Sequence, residues 1–352
     1  MPYGIGPTLT TSVGARPRSE TAKRLELSLA IASNPRTQPV LDGTIAPQGI
    51  DLVSSTIFPS ETFWRQLKFA EFDVSEMSLS ALMRMMGGSD DRWLGLPVFP
   101  TRYFFHTWVL VRRDANIRMP ADLRGRRVGV PEYQQTAALW TRGFLQHEFG
   151  VRPQDMQFWM ERDVAHSHAG AQGFTPPPGV TINQIPPDKN IGTMMMAGEL
   201  DATLLYIREN NLVDRSTIDL WSHPDIAPLF ADPIGEGIRY YKATGMFPIN
   251  HAMVVRRRIA EKHPWVVLNL FNAFKEANAL ADRMRTAHME YHLATGLVPP
   301  EARSIIQRPV AQHGIAANRI VLETAAEYSF EQGLTASKLP LDAIFAPSTM
   351  DT

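Results

Sequence analysis

The sequence predicts an α/β protein of two lobes, the second inserted into the first. Three observations carry this. Short strand-like runs alternate with segments of helical spacing along most of the chain, which is the pattern of α/β architecture. At 352 residues the chain exceeds the roughly 250–300 residues at which a single core stops growing. The alternation also restarts: one unit runs from Leu25, a second begins near Met119, and the apolar run from Phe247 to Arg258 with two long helices finishes the first. The expected division is therefore a flexible arm over 1–24, lobe 1 over 25–115 and 245–352, and lobe 2 over 116–244. Crossings are expected near Arg113–Met119 and Tyr240–Phe247.

The elements follow in order. Residues 1–24 are rich in Gly, Pro, Ser and Thr and lack the apolar core of a secretory signal, so a cytoplasmic location is expected. LELSLAIA (25–32) alternates as a strand, NPRTQPVLDG (34–43) is a loop entering a short helix, and IDLVSST (50–56) is a second strand. FPSETFWRQLKFAEF (58–72) has helical spacing with Ser60 as N-cap, and DVSEMSLSALMRMMGG (73–88) is a strand running into a helix closed by glycines. VFPTRYFFHTWVLV (98–111) reads as a buried strand. PADLRGRRVGVP (120–131) is a helical turn and a strand, and YQQTAALWTRGFLQHEFG (133–150) an amphipathic helix ending at Gly150. MQFWM (156–160) is a strand, Gly170–Lys189 a proline-rich excursion, and IGTMMMAGELDATLLY (191–206) a helix, a turn and a strand. FPINHAMVVRRR (247–258) is an apolar strand interrupted by Asn250 and His251, and helices over 263–287 and 317–333 complete the fold.

Composition excludes several function classes. A net charge of -1, with 44% hydrophobic and 20% charged residues, is ordinary for a protein with a substantial core and offers no basic face for nucleic acid. RGRR (124–127) and RRR (256–258) border apolar runs and read as solvated turns or helix starts. No run of about 18 apolar residues exists, so no membrane span is expected. The absence of cysteine removes thiol nucleophiles, disulfides and thiolate metal sites. There is no GxSxG elbow, phosphate loop or dinucleotide fingerprint.

The candidate site residues stand out against this background. Arg102 and His106, four apart in a strand, would share a face. They would offer a permanent cation beside a group that titrates near neutrality, which suits a site that binds a carboxylate and moves a proton. The alternative is a strand end facing solvent. Glu132 and Tyr133 follow a strand and open a helix, where an open α/β sheet places its ligands; Glu132 can equally serve as a helix-end acid. Asn250 and His251 break an apolar strand beside a crossing. Arg36, Ser78, Ser80, Tyr206 and Arg208 each follow a strand and are candidate contacts for substrate. His166 and His168, with Glu161 and Asp163, form a weak candidate metal cluster, no metal site being favoured over chance spacing.

Four stretches in the same order, VFPTRYFFH, DLRGRRVGVPEYQQTAALWTRGFLQHEFGV, MAGELDATL and HAMVVRRRIAEKHPWVVLNLFNAFKEA, resemble the 4,5-dihydroxyphthalate decarboxylase family over roughly Leu25 to Phe345. That family is similar in fold to type 2 periplasmic solute-binding proteins of the thiamine-precursor and taurine-binding kind. The resemblance implies a ligand cleft between two hinged lobes and decarboxylation of 4,5-dihydroxyphthalate to protocatechuate. It implies no organic cofactor, with a divalent metal optional, and a small aromatic carboxylate as partner, a homo-oligomer being left open. Within it, Arg102 would hold a carboxylate, His106 would be the acid–base group, and His251 and Glu132 would be further catalytic candidates. The chain departs from the family at ERDVAHSHAGAQGFTPPPGV (161–180), where a glycine- and glutamate-rich loop is expected. A solute-binding protein serving a transporter or sensor is the alternative function.

Overall fold

The computed structural model describes residues 24–168, 174–209, 211–303 and 311–352. The expected arm, apart from Arg24, and part of the 161–179 loop lie outside them. Among the described residues the strands are β1 (Leu25–Ala30), β2 (Ile50–Ser55), β3 (Val74–Ser78), β4 (Trp93–Leu96), β5 (Leu110–Arg112), β6 (Arg127–Val130), β7 (Gln157–Met160), β8 (Thr181–Gln184), β9 (Ala202–Thr203), β10 (Ile226–Pro228) and β11 (His251–Arg256). They build a five-stranded sheet ordered β2-β1-β3-β11-β4 and a six-stranded sheet ordered β10-β5-β9-β6-β7-β8. β1 is parallel to β2 and β3, whereas β11 runs antiparallel to β3 and β4. A strand from the far end of the chain thus closes the first sheet, and everything in the second sheet lies between β4 and β11.

Among the described residues the α-helices are α1 (Gln38–Leu41), α2 (Pro59–Phe69), α3 (Leu79–Gly87), α4 (Thr136–Phe149), α5 (Ile191–Met196), α6 (Pro233–Thr244), α7 (Arg257–Lys262), α8 (Trp265–Ala294), α9 (Arg319–Glu331) and α10 (Leu341–Ile344). None is long and apolar enough to cross a membrane. α2 starts at Pro59, a residue already shaped for a first helical position, with Phe58 as its cap. The expected Ser60 cap is therefore corrected: its hydroxyl is buried and accepts a bond from Arg162 at 2.8 Å. α4 ends at Gly150, whose φ of 63° is the left-handed conformation a helix end requires. It is no surface helix, however. Residues Thr136 to Leu145 are all buried, because α4 packs against both α3 and α9.

One core cluster joins Met77, Leu79 and Leu82 of the first unit to Val128, Phe144 and Phe158 of the second and to Leu322 of α9. A separate cluster, with Val74, Val255, Phe271 and Phe274, lies between the first sheet and α8.

The 98–111 run is not one strand: only Leu110 and Val111, at its end, belong to β5. Pro97 and Pro100 interrupt any ladder, and residues Phe105–Trp108 form a 3₁₀ turn. The chain leaves the first sheet after Leu96 and enters the second at Leu110, so the first crossing occupies this run rather than Arg113–Met119. It meets the returning crossing through an isolated antiparallel bridge between Arg102 and Ile249. Arg102 and His106 therefore do not share a strand face.

Candidate active site

The most organised chemistry sits where β3 and β11 end beside the first crossing. Antiparallel register sets His251 opposite Ser78 and leaves Glu76 diagonal to it. His251 Nδ1 lies 2.6 Å from Glu76 Oε1. Glu76 is fully buried and accepts further bonds from the Thr101 hydroxyl at 3.0 Å and the Ala32 N–H at 3.0 Å. Burial pushes its pKa upward, but His251 and these donors outweigh burial and hold the carboxyl below its ordinary value. A charged carboxylate accepts a hydrogen bond from Nδ1–H, and in that tautomer Nε2 is an acceptor. Asn250 Nδ2 donates to it at 2.7 Å. Phe63 packs edge-on against the imidazole at 4.7 Å.

Next to His251, three hydroxyls bridge the two units. Ser78 Oγ lies 2.7 Å from Thr136 Oγ1, and the Ser80 N–H donates to Thr136 Oγ1 at 2.9 Å. Ser80 Oγ donates to the Gln134 carbonyl at 2.6 Å. Ser78 caps α3 and Thr136 opens α4, so two helix N-termini meet here and favour an anion. Asn250 Oδ1 and Gln134 Oε1 are buried acceptors without a hydrogen-bond partner among the described residues. The backbone of each residue adjoins the hydroxyls: the Leu79 N–H donates to the Asn250 carbonyl at 3.0 Å, and Ser80 Oγ donates to the Gln134 carbonyl.

A charged network ties the units together on the α2 side. Glu132 is fully buried and accepts from Gln134 Nε2 (2.9 Å), Ser167 Oγ (3.1 Å), the His168 N–H (3.1 Å) and Arg162 Nη1 (3.2 Å). Arg162 also donates to both Asp214 oxygens, at 2.8 and 3.0 Å. Burial opposes its charge, but Asp214 and Glu132 raise its pKa. Trp64 Nε1 of α2 donates to the Ala165 carbonyl at 2.8 Å.

The candidate metal cluster is corrected by the same geometry. His168 is buried against Glu132 and the Ser60 carbonyl, and burial lowers its pKa. His166 is surface-directed, bonded to Asp163 at 2.8 Å and stacked on Trp64. Glu161 accepts instead from the Ile191 and Arg215 N–H groups and from Ser216 Oγ, each at 2.7 Å. The four do not converge, and among the described residues no three such side chains form a metal-binding group.

Arg102 donates to the Phe247 and Gln312 carbonyls (3.2 and 2.8 Å) and to Asn318 Oδ1 (2.5 Å). Burial, then the neighbouring Arg36, push its pKa down to about 9. Half-buried Arg36 donates to the carbonyls of Phe99 (3.2 Å), Pro100 and Ala311 (3.4 Å). His106 lies elsewhere, stacked on Phe144 at 3.9 Å amid Phe104, Phe230 and Tyr240. Burial, then Arg239, push its pKa down to about 3. Tyr133 is buried and stacked on Phe174. The Tyr206 hydroxyl donates to the Ile218 carbonyl at 2.6 Å and Arg208 pairs with Asp219 at 2.9 Å, both within the second unit. Of the sequence candidates, then, the structure brings together Ser78, Ser80, Asn250 and His251, with Glu132 one network away.

Glu76, Thr136, Gln134 and Arg162 were not among the sequence candidates. Glu76 had a signal: it is an acid two residues before Ser78 in a strand whose five residues are all buried, and period two places both on one face. Arg162 had none, because its partners come from 30 and 52 residues away.

No protein-family model matches this chain. Among solved structures, the alkanesulfonate-binding protein SsuA of Xanthomonas axonopodis pv. citri, bound to MOPS, superposes with a TM-score of 0.54 at 15% identity, covering 93% of this chain and 99% of that one. The periplasmic aliphatic sulphonate binding protein SsuA of Escherichia coli gives 0.52 at 14% identity, covering 91% and 92%. These likenesses establish the periplasmic-binding-protein-like fold. A 4,5-dihydroxyphthalate decarboxylase of Pseudomonas putida is 30% identical over 220 residues, covering 62% of this chain and 83% of that protein. Another, of Comamonas testosteroni, is 31% identical over 336 residues, covering 94% of this chain and 98% of that protein. The chain belongs to the 4,5-dihydroxyphthalate decarboxylase family, whose named members are carboxy-lyases.

Proposed function

We propose that the protein decarboxylates 4,5-dihydroxyphthalate to protocatechuate at the seam between its two sheets, with His251 delivering the proton. The observation that supports this most is the Glu76–His251–Asn250 chain ending beside the Ser78–Thr136 hydroxyls. In the substrate, the hydroxyl para to the departing carboxylate pushes electron density onto the ring carbon bearing that carboxylate. That carbon takes a proton from the His251 imidazolium. The carbon–carbon bond then breaks, its electron pair restores the aromatic ring, and carbon dioxide leaves. One proton is consumed for each carbon dioxide released.

Each neighbour has a part in this reading. Glu76 stabilises the imidazolium. Protonation turns Nε2 from acceptor to donor, which breaks the Asn250 bond and frees the proton for the ring. Asn250 Oδ1 and Gln134 Oε1 match the two phenolic O–H donors. The two helix N-termini, with Arg36 and Arg102 behind Thr101, favour the two carboxylates. Because the substrate's own hydroxyl supplies the electrons, no organic cofactor is required; a divalent metal is optional. The reading includes a cytoplasmic location, to be checked by cell fractionation.

The test is to incubate the protein with 4,5-dihydroxyphthalate, with and without chelator, and to follow carbon dioxide and protocatechuate. Equal release of both is expected. Tight binding without turnover would replace this reading with that of a solute-binding protein. Loss of turnover with chelator would bring a metal into the reaction.

A further inference from the structure

Arg142 is a buried charge without a counter-charge. It lies on α4, fully buried, and burial pushes its pKa down only to about 10, so it stays cationic at neutral pH. Nε donates to Gln332 Oε1 of the following turn beyond α9 at 2.8 Å, and Gln332 Nε2 donates in turn to the Leu139 carbonyl at 3.0 Å. Nη1 and Nη2 have no partner among the described residues. The guanidinium carbon sits 3.7 Å from the Tyr133 ring centre and 5.8 Å from that of Phe158. Those rings attract the face of the cation and leave its N–H edge unused. The Tyr133 hydroxyl is likewise buried and unpartnered, as is Ser329 Oγ, one turn before Gln332. Among the described residues Arg142 makes no ion pair, and the tyrosine beneath it is the only group whose charge offsets the cost of burial. An isolated cation in such surroundings is costly enough that a binding anion is the natural resolution.

We propose that the Nη1–Nη2 edge of Arg142 is a binding site for a small oxyanion of the carboxylate type, held bidentately with the Tyr133 hydroxyl as a third donor. The paired N–H groups of a guanidinium edge match a carboxylate better than a spherical ion. Formate and bicarbonate are among the smallest ions of this class, which suits a fully buried guanidinium. The site is tied to Tyr133, which stands between Glu132 and Gln134 in the chain, so an anion there would brace that loop. It does not depend on the decarboxylase reading.

The test uses the full chain, dialysed free of chloride and carboxylates, and follows thermal unfolding during a sodium formate titration. A saturable rise in Tm of about 2–5 °C is expected. Sodium chloride at matched ionic strength should not reproduce it. Arg142→Gln should abolish the rise, Tyr133→Phe should move its midpoint to several-fold higher formate, and His251→Asn should keep it, which separates this site from the seam. No response in the parent protein, an equal response in Arg142→Gln, or an equal response to chloride would overturn the proposal. If Arg142→Gln does not fold, an unchanged midpoint in Tyr133→Phe would overturn it instead.

Discussion

At His251 the proposed chemistry turns on which ring nitrogen carries the proton. Glu76 claims the Nδ1 proton, and this leaves Nε2 to face Asn250. In Glu76→Gln the amide N–H can donate to Nδ1 and favour the opposite tautomer, so kcat should fall at least about tenfold while KM changes little; steady-state kinetics on the folded variant checks this. An unchanged kcat would remove Glu76 from its positioning role. His106 makes a different prediction. Burial, then Arg239, set its folded pKa at about 3, whereas an unfolded histidine titrates near 6.5. The unfolded chain therefore takes up a proton that the folded imidazole refuses. Its stabilisation is full above pH ~6.5 and is lost as pH falls toward 3, at about 1.4 kcal/mol per pH unit. Urea midpoints at pH 7 and pH 5 should differ less in His106→Phe than in the parent protein. An equal difference would show that the ring is already charged when folded. Its stacking partners show why sequence alone leaves two readings open: a histidine amid FF and TW marks an aromatic pocket as readily as a cleft wall.

At the scale of elements, periodicity was legible wherever an element obeyed its own local chemistry. β1, β2, β3, β6, β7 and α9 lie within a few residues of where alternation and helical spacing put them. It failed over most of 98–111, where an apolar composition concealed a crossing that Pro97 and Pro100 keep from continuing as a ladder. It failed in degree at α4, whose burial reflects packing by α3 and α9, elements remote in sequence. That packing carries a prediction. A Cβ on Gly143 would fall 2.1 Å from the Tyr328 ring, closer than any real contact. Gly143→Ala should therefore destabilise the protein by about 1–3 kcal/mol, although alanine is the better helix former. Denaturant unfolding measures this, and a stabilised variant would show that α9 moves aside freely. The candidate-site cluster was half legible for a similar reason: Ser78, Ser80, Asn250 and His251 interrupt apolar runs, whereas Thr136 and Gln134 look like ordinary helix-start residues until the other unit arrives.

In the whole molecule, the shared core between the two sheets is reinforced by polar devices that include the paired crossings at Arg102 and Ile249, the hydroxyl bridge from Ser78 to Thr136, and the Arg162 network reaching Ser60. Arg162→Leu would leave Glu132 and Asp214 buried without their cation. It should cost about 3–5 kcal/mol, read as a lower urea midpoint; a loss within experimental error would mean that the network is hydrated and weak. The seam those devices close is where the proposed chemistry resides. Its most direct test is the rate of protocatechuate formation from 4,5-dihydroxyphthalate by the parent protein and by folded His251→Asn, measured side by side. The account predicts turnover by the parent and a rate about 10²–10⁴-fold lower in the variant. Full activity in His251→Asn, or a parent protein that binds the diacid and never releases carbon dioxide, would contradict it.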